Sequence, residues 1–412
     1  MTDMHTPSIA VIGAGPAGLM AAERLASAGA RVTVFDRMPS PARKFLMAGR
    51  GGLNLTHSEA KEPFHARYGK SAPHLEAALS AFPPGALIAW ANGLGQETFT
   101  GSSGRVFPKS MKASPLLRAW LARLATLRVT LRLGTRWTGW TNDGALTFKS
   151  ANGNDDATER FDATILALGG ASWPRLGSDG RWAETLGLTG VELAPFQPSN
   201  AGFCVDWSSH VHAKYLGEPL KRITLIHGER RARGEVVITA RGLEGGAVYA
   251  IGAEVRDALD RGPAAIHIDL RPDISTTDLA TRLSAPRGKD SLANFIRKRA
   301  GISAAAIAVL REAHGANLPA DATALASAIK SVPLTVTGLG GLERAISTAG
   351  GVKWDAIDSH AMLLAKPGVF VAGEMIDWDA PTGGYLLQAT FATACAAADG
   401  ALQWLKVPAP SP

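Results

Sequence analysis

The chain is short of cysteine, of long apolar runs and of any recognisable catalytic set, and each shortage removes a class of protein. Two cysteines, Cys204 and Cys395, stand among 412 residues and in no CxxC spacing. A disulfide framework and a cysteine-bound zinc are thereby excluded, and the expectation is two reduced, buried thiols in a cytoplasmic protein. No apolar run approaches the roughly 18–20 residues of a spanning helix. The stretch from Ala361 to Ile376 is broken by Lys366 and Pro367. Met1 to Ser8 carries neither a basic n-region nor an apolar h-region, so no secretory signal is expected. No Ser/His/Asp set, metal-ligand cluster or nucleophile elbow stands out, and no metal is expected. There is no internal repeat and no low-complexity tract.

What is present is glycine, 45 residues of it, much of it clustered behind short apolar runs. Such clusters let backbone approach a ligand. With 46% hydrophobic and 19% charged residues the composition is that of an ordinary globular protein. The length implies two or three domains. Net charge is +7. Between Glu97 and Asp143 stand Arg105, Lys109, Lys112, Arg118, Arg123, Arg128, Arg132 and Arg136, with no acid among them. A solvated helix face accounts for this stretch as well as a contact with an anion does, be it a cofactor phosphate, an acidic substrate or nucleic acid.

Ile9–Ile12 reads as a buried strand, Pro16–Ala28 as a helix stopped by Gly29, and Arg31–Phe35 as a second strand ending at Asp36. Such a unit has parallel strands and a right-handed crossover. Residues 37–60 read as a Gly-rich basic loop. Helical stretches follow at 71–94 and 114–125, strands at 128–138, 145–148 and 163–168, and a short helix at 182–186. From about 191 the pattern becomes β-rich without intervening helices, with strands at 192–205, 222–227, 234–240 and 265–270. Helices are expected at 276–283, 290–299, 303–314 and 321–330. After about 346 the α/β character returns, with a strand at 368–372 and a helix within 383–405. Residues 407–412 read as a flexible tail. The expected organisation is one discontinuous nucleotide-binding domain (1–190 and 346–406), a β-rich insert (191–272) and a helical insert (273–345).

The strongest motif is Gly13-Ala14-Gly15-Pro16-Ala17-Gly18, which follows a strand and opens a helix. Gly13 permits the tight turn, Gly15 lets the backbone meet a diphosphate, and Gly18 packs helix on strand. The helix start adds free N–H groups and partial positive charge. Asp36, 18 residues after Gly18, suits the ribose hydroxyls of an adenosine, with Arg37 beside it. An isolated turn of this composition would say little; the strand, helix, second strand and acid together point to a dinucleotide.

Three further stretches favour FAD over NAD as the bound dinucleotide. Arg43-Lys44 leads to Gly49-Arg50-Gly51-Gly52-Leu53-Asn54-Leu55-Thr56, flexible glycines beside cations, which suits a loop over a diphosphate or a flavin ring and also suits a plain mobile loop. Leu166-Ala167-Leu168-Gly169-Gly170 ends a strand in small residues, as a ligand-facing turn or an ordinary one would. Gly373-Glu374 and Asp377 precede Gly383-Gly384-Tyr385 and Gln388, at a helix start. Glu374 and Asp377 fit ribityl or ribose hydroxyls, and the Gly383-Gly384 turn aims a helix N-terminus at the flavin pyrimidine edge, where reduced flavin is negative. A surface acid pair and a plain helix start remain the competing account.

The chain resembles the BaiN/YhiN-like family of NAD(P)/FAD-dependent oxidoreductases over essentially its whole length. The matching stretches are GAGPAGLMAA, RKFLMAGRGGLNLT, GRVFPKSMKA, LALGGASWP, GEVVITARGLEGGA, AISTAGGV and AGEMIDWDAPTGGYLLQ. The resemblance implies an α/β, two-dinucleotide-binding-domain-like FAD-binding Rossmann fold with an inserted β-barrel-like and helical middle region. Many relatives read GGGRCN where this chain has GRGGLN at 49–54, so any role of that cysteine does not transfer; the difference marks a distinct subfamily. FAD is the implied cofactor and NAD(P)H the implied co-substrate, with hydride passed to a substrate that the sequence does not name. Catalytic candidates are Arg50, Asn54, His57 and Tyr385. His57 reads equally as a surface loop residue, and Tyr385 reads as packing or a substrate lid before it reads as an acid. A small-molecule substrate is expected first. Reduction or modification of an RNA base is the alternative, on the basic stretch and on Arg297-Lys298-Arg299. A non-catalytic flavin sensor comes third. Oligomeric state is left open.

Overall fold

The computed structural model describes residues 6–150, 156–315 and 318–407. They form two compact units, one running to Gln197 and resuming at Ser347, the other spanning Pro198–Ile346. The final residues of the expected tail lie outside the described residues, apart from Val407.

The first unit is organised by a five-stranded sheet in the order Val369–Val371, Ala163–Leu166, Ser8–Ile12, Arg31–Asp36, Thr130–Leu133. Every adjacent pair is parallel. The reason is visible in Ser8–Ile12, where all five residues are buried. Ile9 and Val11 join one apolar cluster, while Ala10 and Ile12 join another. A strand whose alternate side chains both find apolar partners must be covered on both faces, which suits a parallel sheet. On the first side lie helices Pro16–Ser27 and Tyr385–Trp404, packed on each other and adding small residues such as Ala21, Ala22, Ala394 and Ala398 to that cluster. On the other side an antiparallel meander of Thr135–Trp140, Leu146–Ser150 and Asp156–Glu159 stacks Phe148 on Phe35 at 4.2 Å.

The second unit is one antiparallel sheet of seven segments with one apolar core. Its two outermost segments, Val332–Val336 and Gly338–Leu339, are consecutive in the chain. The first pairs with Ala264–Asp269 and the second with Phe203–Cys204. A single extended stretch thus bonds to both ends of the sheet and returns it on itself, in the manner of a barrel. Helices Thr276–Leu283, Leu292–Ala300, Ala304–His314 and Ala322–Lys330 contribute to the same core. Ser275, Ser291, Ser303 and Asp321 each cap one of them by accepting from a first-turn amide.

Several elements differ from the sequence reading. Residues 37–60 are not all loop: Arg43–Ala48 is a helix, followed by a 3-10 turn Gly49–Gly51 and a short strand Thr56–His57. Five of the six residues in the run Arg-Lys-Phe-Leu-Met-Ala are good helix formers, and burial of the sixth, Phe45, anchors it. The single strand expected at 128–138 is two, broken at Gly134 (φ +67°), with halves in different sheets. The strand expected at 192–205 likewise breaks after Ser199, where Asn200 takes φ +50°. The β-rich region does contain helices: Ser209–Lys214, Gly246–Ala250 and Gly252–Leu259. No border falls at 272/273, because the strands and helices on either side of it fill a common interior. Among the described residues no helix is long and apolar enough to cross a membrane.

Candidate functional site

The first unit gathers the motif residues at the ends of its parallel strands, where such sheets bind ligands. Gly13 closes the first turn at φ +111°, donating its N–H to the Phe35 carbonyl at 2.7 Å. A Cβ there would overlap the Ala167 carbonyl, and one at Gly18 would overlap the Gly13 carbonyl. Gly15 is different: a Cβ would meet no protein atom within 4 Å. Its hydrogen therefore keeps room for something other than protein. Pro16 opens the helix with no side-chain cap on its first turn, leaving its amides available to an anion.

Asp36 accepts from Ala14 N and from Met38 N, both at 2.7 Å. Burial pushes its carboxyl above the usual range, against those two amides and the charges of Arg37 and Arg43, which lower it. A carboxylate has about four lone-pair sites, so acceptor capacity remains. Arg37 reaches Asp179 at 3.1 Å, and Arg43 donates to Ser40 Oγ at 3.2 Å.

Lys44 is the hub of a brace. Its Nζ lies 2.6 Å from Ser172 Oγ and 2.7 Å from Glu374 Oε2. Glu374 Oε1 accepts from Thr348 N at 3.0 Å, and Thr348 Oγ1 accepts from the amides of Ala171 and Ser172. Both Glu374 oxygens are committed inside the protein, to join four distant pieces of chain. Gly170 lies against this brace, with Thr348 Cβ 2.5 Å from where its Cβ would be. Gly169 bonds through its carbonyl to Trp182 Nε1 at 2.8 Å. Gly373 donates to Thr393 Oγ1, and a Cβ on it would come 2.7 Å from Ala17 Cβ, so the two motif turns touch. Asp377 Oδ1 accepts from Gly350 N at 3.1 Å.

The helix Tyr385–Trp404 begins behind Gly383 and Gly384, both at positive φ, with no side-chain cap. Gly384 abuts Thr56, whose backbone would lie 2.5 Å from a Cβ there. The Tyr385 hydroxyl donates to Glu59 Oε1 at 2.6 Å, and Arg67 holds both Glu59 oxygens, at 3.1 and 2.9 Å. His57 stacks on the Tyr385 ring at 5.4 Å and receives Glu59 N on Nδ1. Tyr68 donates to the Tyr385 carbonyl at 2.9 Å. Burial and the Glu59 carboxylate push the Tyr385 hydroxyl well up. Burial pushes Glu59 up, but Arg67 and Tyr385 outweigh it and the carboxyl ends below its ordinary value.

Several buried side-chain atoms among the described residues lack a hydrogen-bond partner. Half of them belong to residues of this region: Arg37 Nε, Arg43 Nε, Asn54 Oδ1, Thr56 Oγ1 and Gln388 Oε1. Gln388 is fully buried and uses its Nε2 on the Phe82 carbonyl. An unmet buried polar atom costs about 1–3 kcal/mol. Five such atoms on residues of the first unit's motif segments are groups that a bound polar molecule would satisfy. Gly51 also has open space at its Cβ position, while Gly49 and Gly52 pack against Ala113 and Met111. The Arg50 side chain lies outside the described residues. No group of His, Cys, Asp and Glu that could hold a metal occurs among the described residues.

The sequence reading did not pick out Glu59, Arg67, Tyr68, Ser172 or Thr348. Thr348 at least sits in the AISTAGGV stretch, whose small residues hint at close approach. The basic stretch is less bare than it reads: Lys109 pairs with Glu97, Arg123 with Glu23 and Arg132 with Glu159, all acids from outside it.

The HI0933-like protein Rossmann domain model matches residues 7–400. The chain is similar to the 3-dehydro-bile acid delta(4,6)-reductase of Clostridium scindens, 26% identical over 93% of this chain and 96% of that one. It is also similar to the ribosomal RNA dihydrouridine synthase of Escherichia coli, 28% identical over 94% and 96%. In fold it is like the 3-ketosteroid delta1-dehydrogenase of Sterolibacterium denitrificans, with TM-score 0.53 at 13% identity over 97% of this chain and 100% of that one. A flavocytochrome c3 fumarate reductase gives TM-score 0.51 at 17% identity, over 98% and 79%.

Proposed function

The chain belongs to the HI0933-like Rossmann family, and from that premise we propose that it is an FAD-dependent oxidoreductase that takes hydride from NAD(P)H and reduces a carbon–carbon double bond conjugated to a carbonyl. The observation that carries the reading is the coincidence of open space at Gly15 with five unmet buried polar atoms on motif residues. FAD, when bound, supplies hydride transfer. The chain's own residues bind and orient. The turn of Gly13, Ala14, Gly15, Pro16, Ala17 and Gly18 takes the diphosphate at the open side of Gly15 and at the uncapped helix start, because the Gly13 and Ala14 amides serve Phe35 and Asp36 and Pro16 has none; Asp36 takes ribose hydroxyls. Arg37, Arg43, Lys44, Gly49, Gly51, Gly52, Asn54 and Thr56 form the covering segment. Ala167, Gly169, Gly170, Gly373, Glu374 and Asp377 form the floor. Gly383, Gly384, Tyr385 and Gln388 set the helix start that favours negative charge.

At the Tyr385 corner the proton sits on the Tyr385 oxygen and is shared with Glu59 Oε1, while Arg67 keeps Glu59 charged. That arrangement fixes the ring and the helix start in place. The substrate class rests on two relatives' names: a dienone-type bile acid reductase and a dihydrouridine synthase both describe saturation of a double bond next to a carbonyl. A steroid-like enone is the first reading. Reduction of a uracil ring in RNA is the second, favoured by the dihydrouridine synthase names and by the basic residues Arg105, Lys112, Arg118, Arg128 and Arg136.

The test is a flavin spectrum followed by anaerobic addition of NADH or NADPH. Bleaching of bound flavin, then reoxidation by an enone or by uridine-containing RNA, is the expected result. Protein that folds but takes up no FAD would overturn the proposal. FAD-loaded protein that neither nicotinamide bleaches would remove the donor half.

A further inference from the structure

The Pro198–Ile346 unit holds a cavity of about 340 Å³ of its own, with Lys221, Arg222, Arg271, Asp273, Gly301 and Ser303 in its wall. That volume falls in the range of small-ligand sites, roughly 300–1,000 Å³. Three cations face one acid, and the acid is already paired: Asp273 holds Arg233. Among the described residues Lys221, Arg222 and Arg271 have no ion pair. Arg271 donates from Nη1 to the Gly301 carbonyl at 2.8 Å, while its Nε is buried without a partner. Gly301, at φ +64°, ends the helix Leu292–Ala300, and a Cβ on it would sit only 3.2 Å from Arg271 Nη1.

The placement of the other two cations is not a by-product of regular sheet. The pairing of Pro219–His227 with Arg230–Thr239 shifts register between Leu220 and Ile223. Lys221 and Arg222 are the residues in that bulge, and Arg222 takes φ +54°, a backbone that arginine adopts reluctantly. Bulges of this kind re-aim side chains, and strained backbone tends to persist where it serves a site. The helix Ala304–His314 starts at the same wall behind Ser303, and the positive end of its dipole adds to the field. A cluster of this strength, with an arginine fork among its members, matches an anion with several acceptor oxygens and more than one negative charge.

We propose that this cavity is a phosphate-binding site, taking a phosphate ester from a nucleotide or from an RNA strand. The proposal stands apart from the flavin chemistry and does not rest on it.

The experiment uses full-length, flavin-loaded protein and a Lys221→Ala/Arg222→Gly variant. Glycine adopts positive φ freely, so the change at 222 removes charge and relieves strain together. Arg271→Lys is a second variant, which keeps the charge and loses the fork. Inorganic phosphate, NADPH against NADH, and a short single-stranded RNA are titrated at two salt concentrations. At least one of these probes binds the wild type and loses about tenfold in affinity in the double variant, with flavin content unchanged. A loss confined to NADPH identifies the nucleotide 2′-phosphate. A loss for RNA, with a salt dependence shallower by about 1–2 in log–log slope, identifies the strand backbone. A loss for inorganic phosphate alone supports the site without an extended ligand. Equal binding by wild type and both variants, or no binding of any probe to the wild type, overturns it.

Discussion

The two ends of the candidate flavin site are built from different materials. The Gly13–Gly18 end is backbone: carbonyls, amides and the missing Cβ atoms of three glycines define it. The Tyr385 end is side chain: a hydroxyl, a carboxylate, a guanidinium and two rings gathered from residues 57–68 and 385. A backbone site is rigid because the fold makes it, and where its glycines press on other backbone, as Gly13 and Gly18 do, it fails only when the fold fails. A side-chain site can be dismantled one group at a time while the fold persists.

The sharpest way to break this contrast is at Gly18. Gly18→Val drives a side chain into the Gly13 carbonyl and should cost more than about 4 kcal/mol; urea unfolding, or failure to purify as folded protein, measures it. A stable Gly18→Val would show that the turn is not the rigid element described. Next comes Gly15→Ala, where the protein offers no clash. Its melting temperature should hold or rise slightly, while FAD affinity falls about tenfold or more, read by equilibrium dialysis. Loss of both together would make Gly15 a packing residue.

Where side chains hold the site, in the Lys44–Glu374 brace and at the Tyr385 end, the expected effects are smaller. Lys44→Met leaves Glu374 half-buried without its cation and should cost about 1–3 kcal/mol. The Lys44→Met/Glu374→Gln double variant should recover part of that. A double-mutant cycle with no coupling would dissolve the brace. Smallest is the acid response of Glu59. Its folded pKa is depressed, so its contribution is complete above the ordinary value of 4.5 and is lost as pH falls through the lower folded value. Wild type should therefore lose more stability than Glu59→Gln, by at most about 1 kcal/mol after solvent screening, as pH falls below 4.5, by thermal denaturation. Parallel pH profiles would mean that the Tyr385–Glu59–Arg67 contact adds nothing to stability.

The same contrast governs what was legible in the chain. Gly13, Gly15, Gly18 and Asp36 could be read because a backbone turn writes its requirement locally, as glycines at fixed spacing after a strand. The helix Thr276–Leu283 could be read to the residue because Ser275 caps it and its apolar spacing is regular. Glu59 could not be singled out: its partner Tyr385 lies 326 residues away, and nothing in the local pattern distinguishes it from any loop acid. The helix Arg43–Ala48 was hidden by the glycines that follow it, which drew the whole segment toward loop. The breaks at Gly134 and Asn200 were invisible because extended propensity continues through both, and only the change of sheet reveals the corner. The shared core of the middle unit was missed for a related reason. Closure by residues 332–339 is a tertiary event, and propensity alone separates strands from helices without saying that they enclose one interior.

The way the chain enters and leaves its middle unit has an evolutionary reading. Leu193–Ser199 and Ser347–Val352 pair as a two-stranded ribbon, and at its end Ile346 N donates to the Asn200 carbonyl at 3.3 Å. Departure and return are a single hydrogen bond apart. To the rest of the polypeptide the whole intervening module is topologically a hairpin loop, closable by a couple of residues. Modules attached in this way can be acquired, lost or exchanged between lineages without rethreading the host. Proteins that share the parallel sheet and its Gly13–Gly18 turn are thus free to differ in the module inserted between residues 198 and 346.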